Sequence, residues 1–257
     1  MKEITYISNS YQTTPEKLSL TAKYFPSLYF YSKFVHIVCQ ASSKSKKGMY
    51  SNSDWCDSCF DILKTLEKIG VSVNINGINH LKQLNTPCVI ISNHMSILET
   101  VILPIIIQPV KDVTYIVKQS LMDYPVFKHV MRNRNPIAVS RTNAREDLKA
   151  VLHSGVDRLN KGISVIVFPQ TTRTHQFDAE KFNSIGIKLA LKAKVPVLPL
   201  ALKTDAWGNG KILKDFGRID RSKPVHFAFG EPMELHKRGS SEHQAVIQFI
   251  SDKLNKW

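Results

Sequence analysis

The chain has 257 residues, 43% of them hydrophobic, which is enough to bury a sizeable core in one α/β domain with an N-terminal elaboration. Its formal net charge of +14 favours anionic partners such as nucleic acid, phospholipid surfaces, phosphorylated metabolites or an acidic carrier protein. No stretch approaches the roughly 20 uninterrupted apolar residues that a membrane-spanning helix needs, so no spanning helix is predicted.

The four cysteines do not have the pattern of a disulfide framework, and no cleavable signal peptide is recognisable, so we expect a reducing compartment. Cys56 and Cys59 have the spacing of a redox or zinc motif. No strand precedes them as in a thioredoxin-type turn, and no second ligand pair supports a closed zinc site. We interpret them as ordinary cysteines on a helix face and predict no bound metal.

The first 69 residues are predicted to form an N-terminal helical element, followed by an α/β domain at residues 70–257. Helices are expected at about residues 16–40 and 54–69, separated by a polar linker at 41–53, and Gly70 should close the second helix. The aromatic-rich stretch 24–38 is interrupted by Lys33 and His36. It suits a helix lying on a bilayer surface, and it equally suits a helix packed on the following domain.

From Gly70 onward, predicted strands alternate with predicted helices. Strands are expected at residues 71–77, 89–91, 113–117, 137–139, 164–168, 196–202 and 225–229. Helices are expected from after His94 to about 107, at 121–131, 144–160 and 185–193, and at the C-terminus. Pro104 must lie near the first turn of its helix or bend that helix. The alternation predicts an α/β fold with a largely parallel sheet covered by helices on both faces, preceded by the N-terminal two-helix element.

His94 and Glu99 are the most informative pair in the sequence. His94 directly follows the β-branched run at residues 89–91, and Glu99 lies in the turn or first helical turn beyond it. A carboxylate in that place can accept the Nδ1 proton of the imidazole and leave Nε2 free to take a proton from a substrate. By itself the pair also fits a buried histidine that is hydrogen bonded for structural reasons.

Cationic residues follow the next strands in the same way. Lys118 follows the strand at 113–117, Arg141 follows the strand at 137–139, and Arg173 lies in the segment after the strand at 164–168. In parallel sheets, ligands bind outside the carboxyl ends of the strands. We therefore expect an anion-binding mouth around His94, in which the guanidinium of Arg173 suits a phosphate group.

Four segments between residues 71 and 232 together resemble the glycerolipid acyltransferase family of the PlsC type, the lysophosphatidate acyltransferases. The family's first motif, Asn-His followed by four residues and an acid, is matched at Asn93, His94 and Glu99. The second motif is matched loosely by Lys118, Leu121, Pro125 and Arg141. The third motif, normally Phe-Pro-Glu-Gly-Thr-Arg-Ser, corresponds to residues 168–174, and the fourth, Val-Pro-hydrophobic-hydrophobic-Pro, to residues 195–199. The motifs keep the family's order and spacing.

The resemblance implies transfer of a fatty acyl group from an acyl carrier protein or acyl-CoA thioester to the free hydroxyl of lysophosphatidate, giving phosphatidate for phospholipid synthesis. His94 would act as the base and Glu99 as its partner, without a covalent acyl-enzyme. Substrate-binding roles would fall to Arg173, Lys118, Arg141, Gln170, Thr171 and Thr172. The thioester is a co-substrate, and no other cofactor is implied. The expected location is the cytoplasmic face of the membrane, peripheral or monotopic, with the phospholipid surface as a partner and no nucleic acid.

Two departures from the family pattern leave the acceptor open. Glu99 stands where the family nearly always has Asp, and Gln170 and Thr171 replace the family's Glu-Gly pair. The acceptor could therefore be a different lysophospholipid or an amino-acid lipid. A hydrolase is less compatible with the sequence, which has no G-x-S-x-G turn. In a different functional class, a basic protein that binds anionic lipid or nucleic acid without catalysis would use the same positive charge.

Overall fold

The computed structural model describes residues 1–125, 127–170, 172–210, 215–236 and 238–257. The strands are β1 (Ser10–Gln12), β2 (Val73–Asn76), β3 (Val89–Ser92), β4 (Val113–Lys118), β5 (Ile137–Val139), β6 (Ser164–Val167), β7 (Val197–Lys203) and β8 (Val225–Phe229). The helices are α1 (Leu20–Tyr24), α2 (Pro26–Lys46), α3 (Asn52–Lys68), α4 (Ile78–Lys82), α5 (Leu98–Ile107), α6 (Phe127–Asn133), α7 (Ala144–Asn160), α8 (Ile185–Ala193) and α9 (Ser240–Lys256). A short 3-10 helix spans Gln119–Met122.

All eight strands form one sheet in the order β1-β2-β8-β7-β3-β6-β4-β5. Neighbouring strands are parallel except for the antiparallel pairs β1–β2 and β7–β8. The α/β fold with a largely parallel sheet is therefore confirmed. The two antiparallel pairs bring the N-terminal strand and the last strand into the same sheet.

Strand β3 shows how the sheet separates two hydrophobic cores. Ile90 is fully buried and packs in the core that contains α2, α3 and α5. Val89 and Ile91 point to the opposite core, which contains side chains of α7, α8 and α9. Successive side chains of a strand alternate between its faces, so a strand that is covered on both sides needs an uninterrupted apolar run.

The N-terminal segment differs from its prediction in three ways. The helix expected at residues 16–40 is two helices, because Pro26 lacks an N–H group and begins α2 instead of continuing α1. The expected linker at 41–53 is largely helical, since α2 continues to Lys46 and ends just before Gly48, which has a φ of +70°. Strand β1 was not predicted, and it pairs antiparallel with β2. The segment is therefore more than a two-helix element, while the boundary at residue 69/70 stays a prediction.

Prolines account for one further difference and decide between two alternatives left open for Pro104. The predicted helix at 121–131 is instead the short 3-10 helix followed by α6, and Pro125 lies between them. Proline disfavours helical geometry at the residue that precedes it, which separates the two segments. Pro104 lies in the second half of α5 and not in its first turn. The helix continues past it, and the amide of Gln108 donates to the carbonyl of Pro104 at 2.9 Å.

The strand order positions the candidate site. Strands β3, β6, β4 and β5 are adjacent and parallel, so their carboxyl ends lie along one edge of the sheet. The four segments predicted to carry the chemistry begin at that edge. Strand β7 is also parallel to β3, and its carboxyl end therefore joins the same edge.

Candidate active site

His94 and Glu99 form a hydrogen-bonded pair at the carboxyl end of β3. Nδ1 of His94 lies 2.8 Å from Oε1 of Glu99. The Glu99 side chain is fully buried, whereas the His94 side chain is 14% exposed. Within the part of the chain that the structure describes, Nε2 of His94 has no hydrogen-bond partner. This arrangement suits an imidazole that carries its proton on Nδ1 and offers a free Nε2 to a ligand.

The carboxylate of Glu99 is surrounded by hydrogen-bond donors. Oε1 accepts from the amides of Met95 at 2.7 Å and Ser96 at 3.0 Å, and Oε2 accepts from Oγ1 of Thr204 at 2.6 Å. Burial by itself would raise the pKa of Glu99, but the hydrogen bonds from His94, Thr204 and Ser96 lower it below the ordinary value. Glu99 is therefore ionised at neutral pH although it is buried.

Asn93 ties the end of β3 to the neighbouring strand β7. Its Nδ2 donates to the carbonyl oxygen of Leu202 at 2.8 Å, and its Oδ1 accepts from the Leu202 amide at 2.8 Å. The side chain thus extends the pairing of the two strands beyond the last ladder bond. The histidine that follows is held at a defined position at the edge of the sheet.

The segment after β6 holds His94 from the other side. The ring of Phe168 stacks on the His94 ring with centroids 4.4 Å apart and an interplanar angle of 16°. Oε1 of Gln170 accepts from the His94 amide at 2.7 Å, and the amide of Thr174 donates to the His94 carbonyl at 3.0 Å. Gln170 was predicted to bind substrate. In the structure its side chain is buried, and its Oε1 accepts the hydrogen bond from the backbone of His94. Thr171 lies outside the described residues.

Two arginines follow strands that end at the same edge of the sheet as this pair. Arg173 forms an ion pair with Asp215, with an N–O distance of 2.6 Å. Loss of solvent lowers the pKa of Arg141, and the nearby charge of Arg173 lowers it further, while Asp147 raises it. The charge of Arg173 thus acts on Arg141, as expected of two cations in loops that begin at the same edge of the sheet. An anion there could interact with two positive charges.

A tight turn presents Arg141. The carboxylate of Asp147 accepts from the amides of Ser140 and Arg141, both at 2.7 Å. Arg141 has a φ of +63°, a left-handed conformation that non-glycine residues rarely adopt. The strain is held by Asp147 at the N-terminus of α7. Such strain is often found where a side chain must be aimed at a ligand.

The remaining predicted binding residues lie at the surface. Lys118 is exposed at the end of β4, where it pairs in register with Val139 of β5. Thr172 is also exposed. In the described ranges, neither side chain has a hydrogen bond or ion pair. The same ranges contain no cluster of three His, Cys, Asp or Glu side chains that could hold a metal ion.

Sequence reasoning missed Thr204, Ser96 and Asp215. Thr204 directly follows β7 and binds the carboxylate of Glu99, so the search for polar residues at strand ends could have found it. Ser96 lies inside the first motif, and its amide and hydroxyl both approach Glu99. Nothing in the local pattern around Asp215 indicates its ion pair with Arg173.

Comparisons with known proteins agree with this geometry. The profile of the Acyltransferase family matches residues 72–203, about half of the chain. A 1-acyl-sn-glycerol-3-phosphate acyltransferase of Pseudomonas aeruginosa is 33% identical over 148 residues, 58% of this chain and 55% of that protein. A probable 1-acyl-sn-glycerol-3-phosphate acyltransferase of Mycoplasma pneumoniae is 30% identical over 174 residues, 65% of this chain and 64% of that protein. The chain thus spans about half the length of the curated relatives it matches.

A solved structure shares the fold. The crystal structure of the 1-acyl-sn-glycerophosphate (LPA) acyltransferase PlsC from Thermotoga maritima aligns with a TM-score of 0.64 over 90% of this chain and 93% of that one, at 19% identity. That likeness concerns the fold, and the family match covers β2 to β7 with the His94–Glu99 pair and Arg173. The chain belongs to the Acyltransferase family.

Proposed function

We propose that the protein transfers a fatty acyl group from a thioester, acyl-CoA or acyl carrier protein, to the free hydroxyl of lysophosphatidate. The observation that carries the proposal is the His94–Glu99 pair, in which a buried, ionised carboxylate lies 2.8 Å from Nδ1 of a histidine that reaches the surface. The relatives named 1-acyl-sn-glycerol-3-phosphate acyltransferase support the choice of reaction.

In the proposed mechanism, Nε2 of His94 accepts the proton of the acceptor hydroxyl as its oxygen attacks the thioester carbonyl carbon. The C–S bond then breaks, and the proton on Nε2 passes to the departing thiolate, so that an ester and a thiol are formed. Glu99 holds the Nδ1 proton and stabilises the imidazolium that exists between the two transfers. General-base assistance of this kind contributes about a hundred- to ten-thousand-fold to a rate.

The acceptor's phosphate would be held by the two arginines. Arg173 and Arg141 are close enough to influence each other electrostatically, and a dianionic phosphate would relieve that repulsion. Asp215 binds one nitrogen of the Arg173 guanidinium, and a guanidinium has further N–H donors that a phosphate can use. Lys118 and Thr172, both exposed near the same edge, would extend the contacts of the headgroup.

A membrane surface is the proposed location of the reaction, since both acceptor and product are lipids. Helices α1 and α2, with the residue between them, expose an apolar face: Leu20 at 74%, Tyr24 at 66%, Phe25 at 63%, Leu28 at 70% and Val35 at 48%. Exposed lysines flank this face at Lys17, Lys23 and Lys33. Apolar and aromatic side chains beside lysines suit the headgroup region of an anionic bilayer. None of the described helices is long and apolar enough to cross a membrane.

Peripheral attachment is tested by flotation with vesicles of phosphatidylcholine and phosphatidylglycerol. The wild-type protein should float with vesicles that contain phosphatidylglycerol, and Leu28→Glu should float at least several-fold less. Ile7→Glu is the matched control, because Ile7 is an equally exposed apolar residue outside α1 and α2. Equal flotation of all three proteins would contradict the proposal that the exposed apolar face binds the membrane.

The reaction itself is tested with radiolabelled acyl-CoA and acyl carrier protein against a panel of lysolipids. The panel contains lysophosphatidate, lysophosphatidylcholine, lysophosphatidylglycerol and a lyso amino-acid lipid. Label is expected in phosphatidate, and His94→Ala serves as the inactive control. Label in another lipid would support acyl transfer to a different acceptor. The panel includes other acceptors because Gln170 and Thr171 replace the family's Glu-Gly pair. No transfer from either donor to any acceptor contradicts the proposed function.

A further inference from the structure

Thr204 connects the catalytic carboxylate to a second strand of the sheet. It follows the last residue of β7, and its side chain is fully buried. Its hydroxyl lies 2.6 Å from Oε2 of Glu99, the carboxylate oxygen that does not contact His94. Oε1 is therefore held by the histidine and its own loop, whereas Oε2 is held by Thr204, at the end of β7, together with the Ser96 amide at 3.1 Å.

Counting protons shows that this hydroxyl must be the donor. Oγ of Ser96 also lies near Oε2, at 3.1 Å, but it carries a single proton and lies closer to the carbonyl oxygen of Thr204, at 2.9 Å. Ser96 Oγ in turn accepts from the amide of Leu98 at 3.1 Å. An ionised carboxylate can only accept, so the proton in the 2.6 Å contact comes from Thr204.

We propose that Thr204 is a positioning residue, which acts on His94 through Glu99, and that Glu99 and Thr204 form a matched pair. The additional methylene of Glu, relative to the Asp that is usual in the family, brings Oε2 within reach of the hydroxyl at the end of β7 while Oε1 still meets Nδ1. The inference rests on the proposed acyl transfer for its kinetic consequences, whereas its structural part does not depend on the substrate.

The physical reason is the freedom of the carboxylate. A Glu side chain has three rotatable bonds, and a carboxylate that is held at Oε1 alone can still turn about its last bond. With Oε2 held by Thr204, rotation would break a short, buried, charge-assisted hydrogen bond. The Nδ1 proton is thereby kept on the line to Oε1, and Nε2 stays aimed at the surface.

The first test compares three threonine variants in the acyl-transfer assay. Thr204→Val removes the hydroxyl and keeps the shape, and we expect kcat to fall about ten- to a hundred-fold with little change in KM, since a hydrogen bond to a charged group is lost. Thr204→Ser restores the hydroxyl and should recover most of kcat. Thr65→Val is the matched control, because Thr65 is buried in α3 and its hydroxyl donates to the carbonyl of Asp61 in the same helix. The control should keep the wild-type kcat even if its melting temperature falls.

A double-mutant cycle tests whether the two residues are a matched pair. In a Glu99→Asp background the shorter side chain cannot meet His94 and Thr204 together, so Thr204→Val should cost less than about three-fold there. An equal loss of kcat in both backgrounds would overturn the pairing. If Thr204→Val does not fold, Thr204→Ala gives the same comparison without adding volume.

A measurement without substrate separates this inference from the proposed function. The Nδ1 proton of His94, held against a buried carboxylate, should give a downfield proton resonance that exchanges slowly with water. The resonance should persist in Thr204→Ser and Thr65→Val and broaden or vanish in Thr204→Val. If wild-type protein shows the resonance and this pattern but transfers no acyl group, the proposed function fails and the positioning role stands. An unchanged resonance and unchanged kcat in Thr204→Val would overturn the positioning role.

Discussion

The two halves of the candidate site are built on opposite principles. The His94–Glu99 pair lies in a closed network, where Glu99 is completely buried and donors from β7 and the first motif hold both of its oxygens. The predicted cationic mouth consists of Arg141 and Arg173, in loops at the same edge of the sheet, and Lys118, the exposed last residue of β4. One half is buried and held by hydrogen bonds before any ligand arrives, and the other lies at or near the surface, where a ligand can reach it.

The difference in burial between the two groups shows how one edge of a sheet can hold both a catalytic base and the residues that bind a headgroup. A base works best when its orientation is fixed and water is kept from its partner, because charges interact more strongly where water is excluded. A lipid headgroup must enter and leave, so the groups that bind it have to face solvent. We therefore expect substitutions in the buried pair to change kcat, and substitutions in the mouth to change KM.

His94→Ala gives the largest expected effect and tests the buried half directly. The protein should fold, and acyl transfer should fall at least about a thousand-fold, because the imidazole that takes the hydroxyl proton in the proposed mechanism is removed. The measurement is radiolabelled phosphatidate formation, with circular dichroism to verify folding. Substantial residual transfer by the folded variant would remove His94 from the catalytic role.

Glu99→Gln should lower kcat by about a hundred-fold or more, since a neutral amide no longer stabilises the imidazolium. It also tests the charge of Glu99 through stability. The lowered pKa of Glu99 means that its stabilising contribution is complete above the ordinary value of 4.5 and is lost as the pH falls further through the native value.

Urea unfolding at a series of pH values measures that contribution. The wild-type midpoint should decline below about pH 4.5, and the decline should be shallower in Glu99→Gln. Other carboxylates with lowered pKa values, such as Asp54 and Asp147, are present in both proteins, so the difference between the curves isolates Glu99. Parallel curves would show that Glu99 is not held in its charged form.

Arg173→Ala tests the mouth. We expect KM for a phosphate-bearing acceptor to rise about ten-fold or more, with kcat largely preserved, because a charge-assisted contact to the phosphate is lost. Lys188→Ala is the control, since Lys188 is an exposed cation on α8 outside the mouth. A fall in kcat without a change in KM would place Arg173 in the chemical step. It would contradict the expectation that the cationic residues act on KM alone.

Gln170→Glu should have the smallest effect and tests the link between the halves. A glutamate can accept the His94 amide with one oxygen, as Gln170 does at 2.7 Å, so kcat should stay within about three-fold of wild type. Its added negative charge, in the segment that carries Arg173, should raise KM for phosphate-bearing acceptors slightly. A large loss of kcat would show that the neutral amide is required beside His94.

The strands of the sheet and the His94–Glu99 pair were predictable, because the sequence patterns that indicate them are local. The β-branched run before His94 predicts β3, and the helices at residues 144–160 and 185–193 were predicted with the bounds they have. The five-residue spacing from His94 to Glu99 is short enough for strand and turn geometry to bring the side chains together. The helix break at Pro26 and the strand β1 were missed, since a single proline and a strand of three residues give weak signals beside a long aromatic pattern.

The sequence by itself determined the α/β class, the family resemblance and the identity of the histidine–carboxylate pair, because each depends on residues close together in the chain. Only the tertiary structure decided that Gln170 faces His94, that Arg173 meets Asp215, and that Thr204 holds Glu99. Those contacts join residues 42 to 105 positions apart. The order of parallel strands brings such residues to one edge, and no local pattern encodes that order.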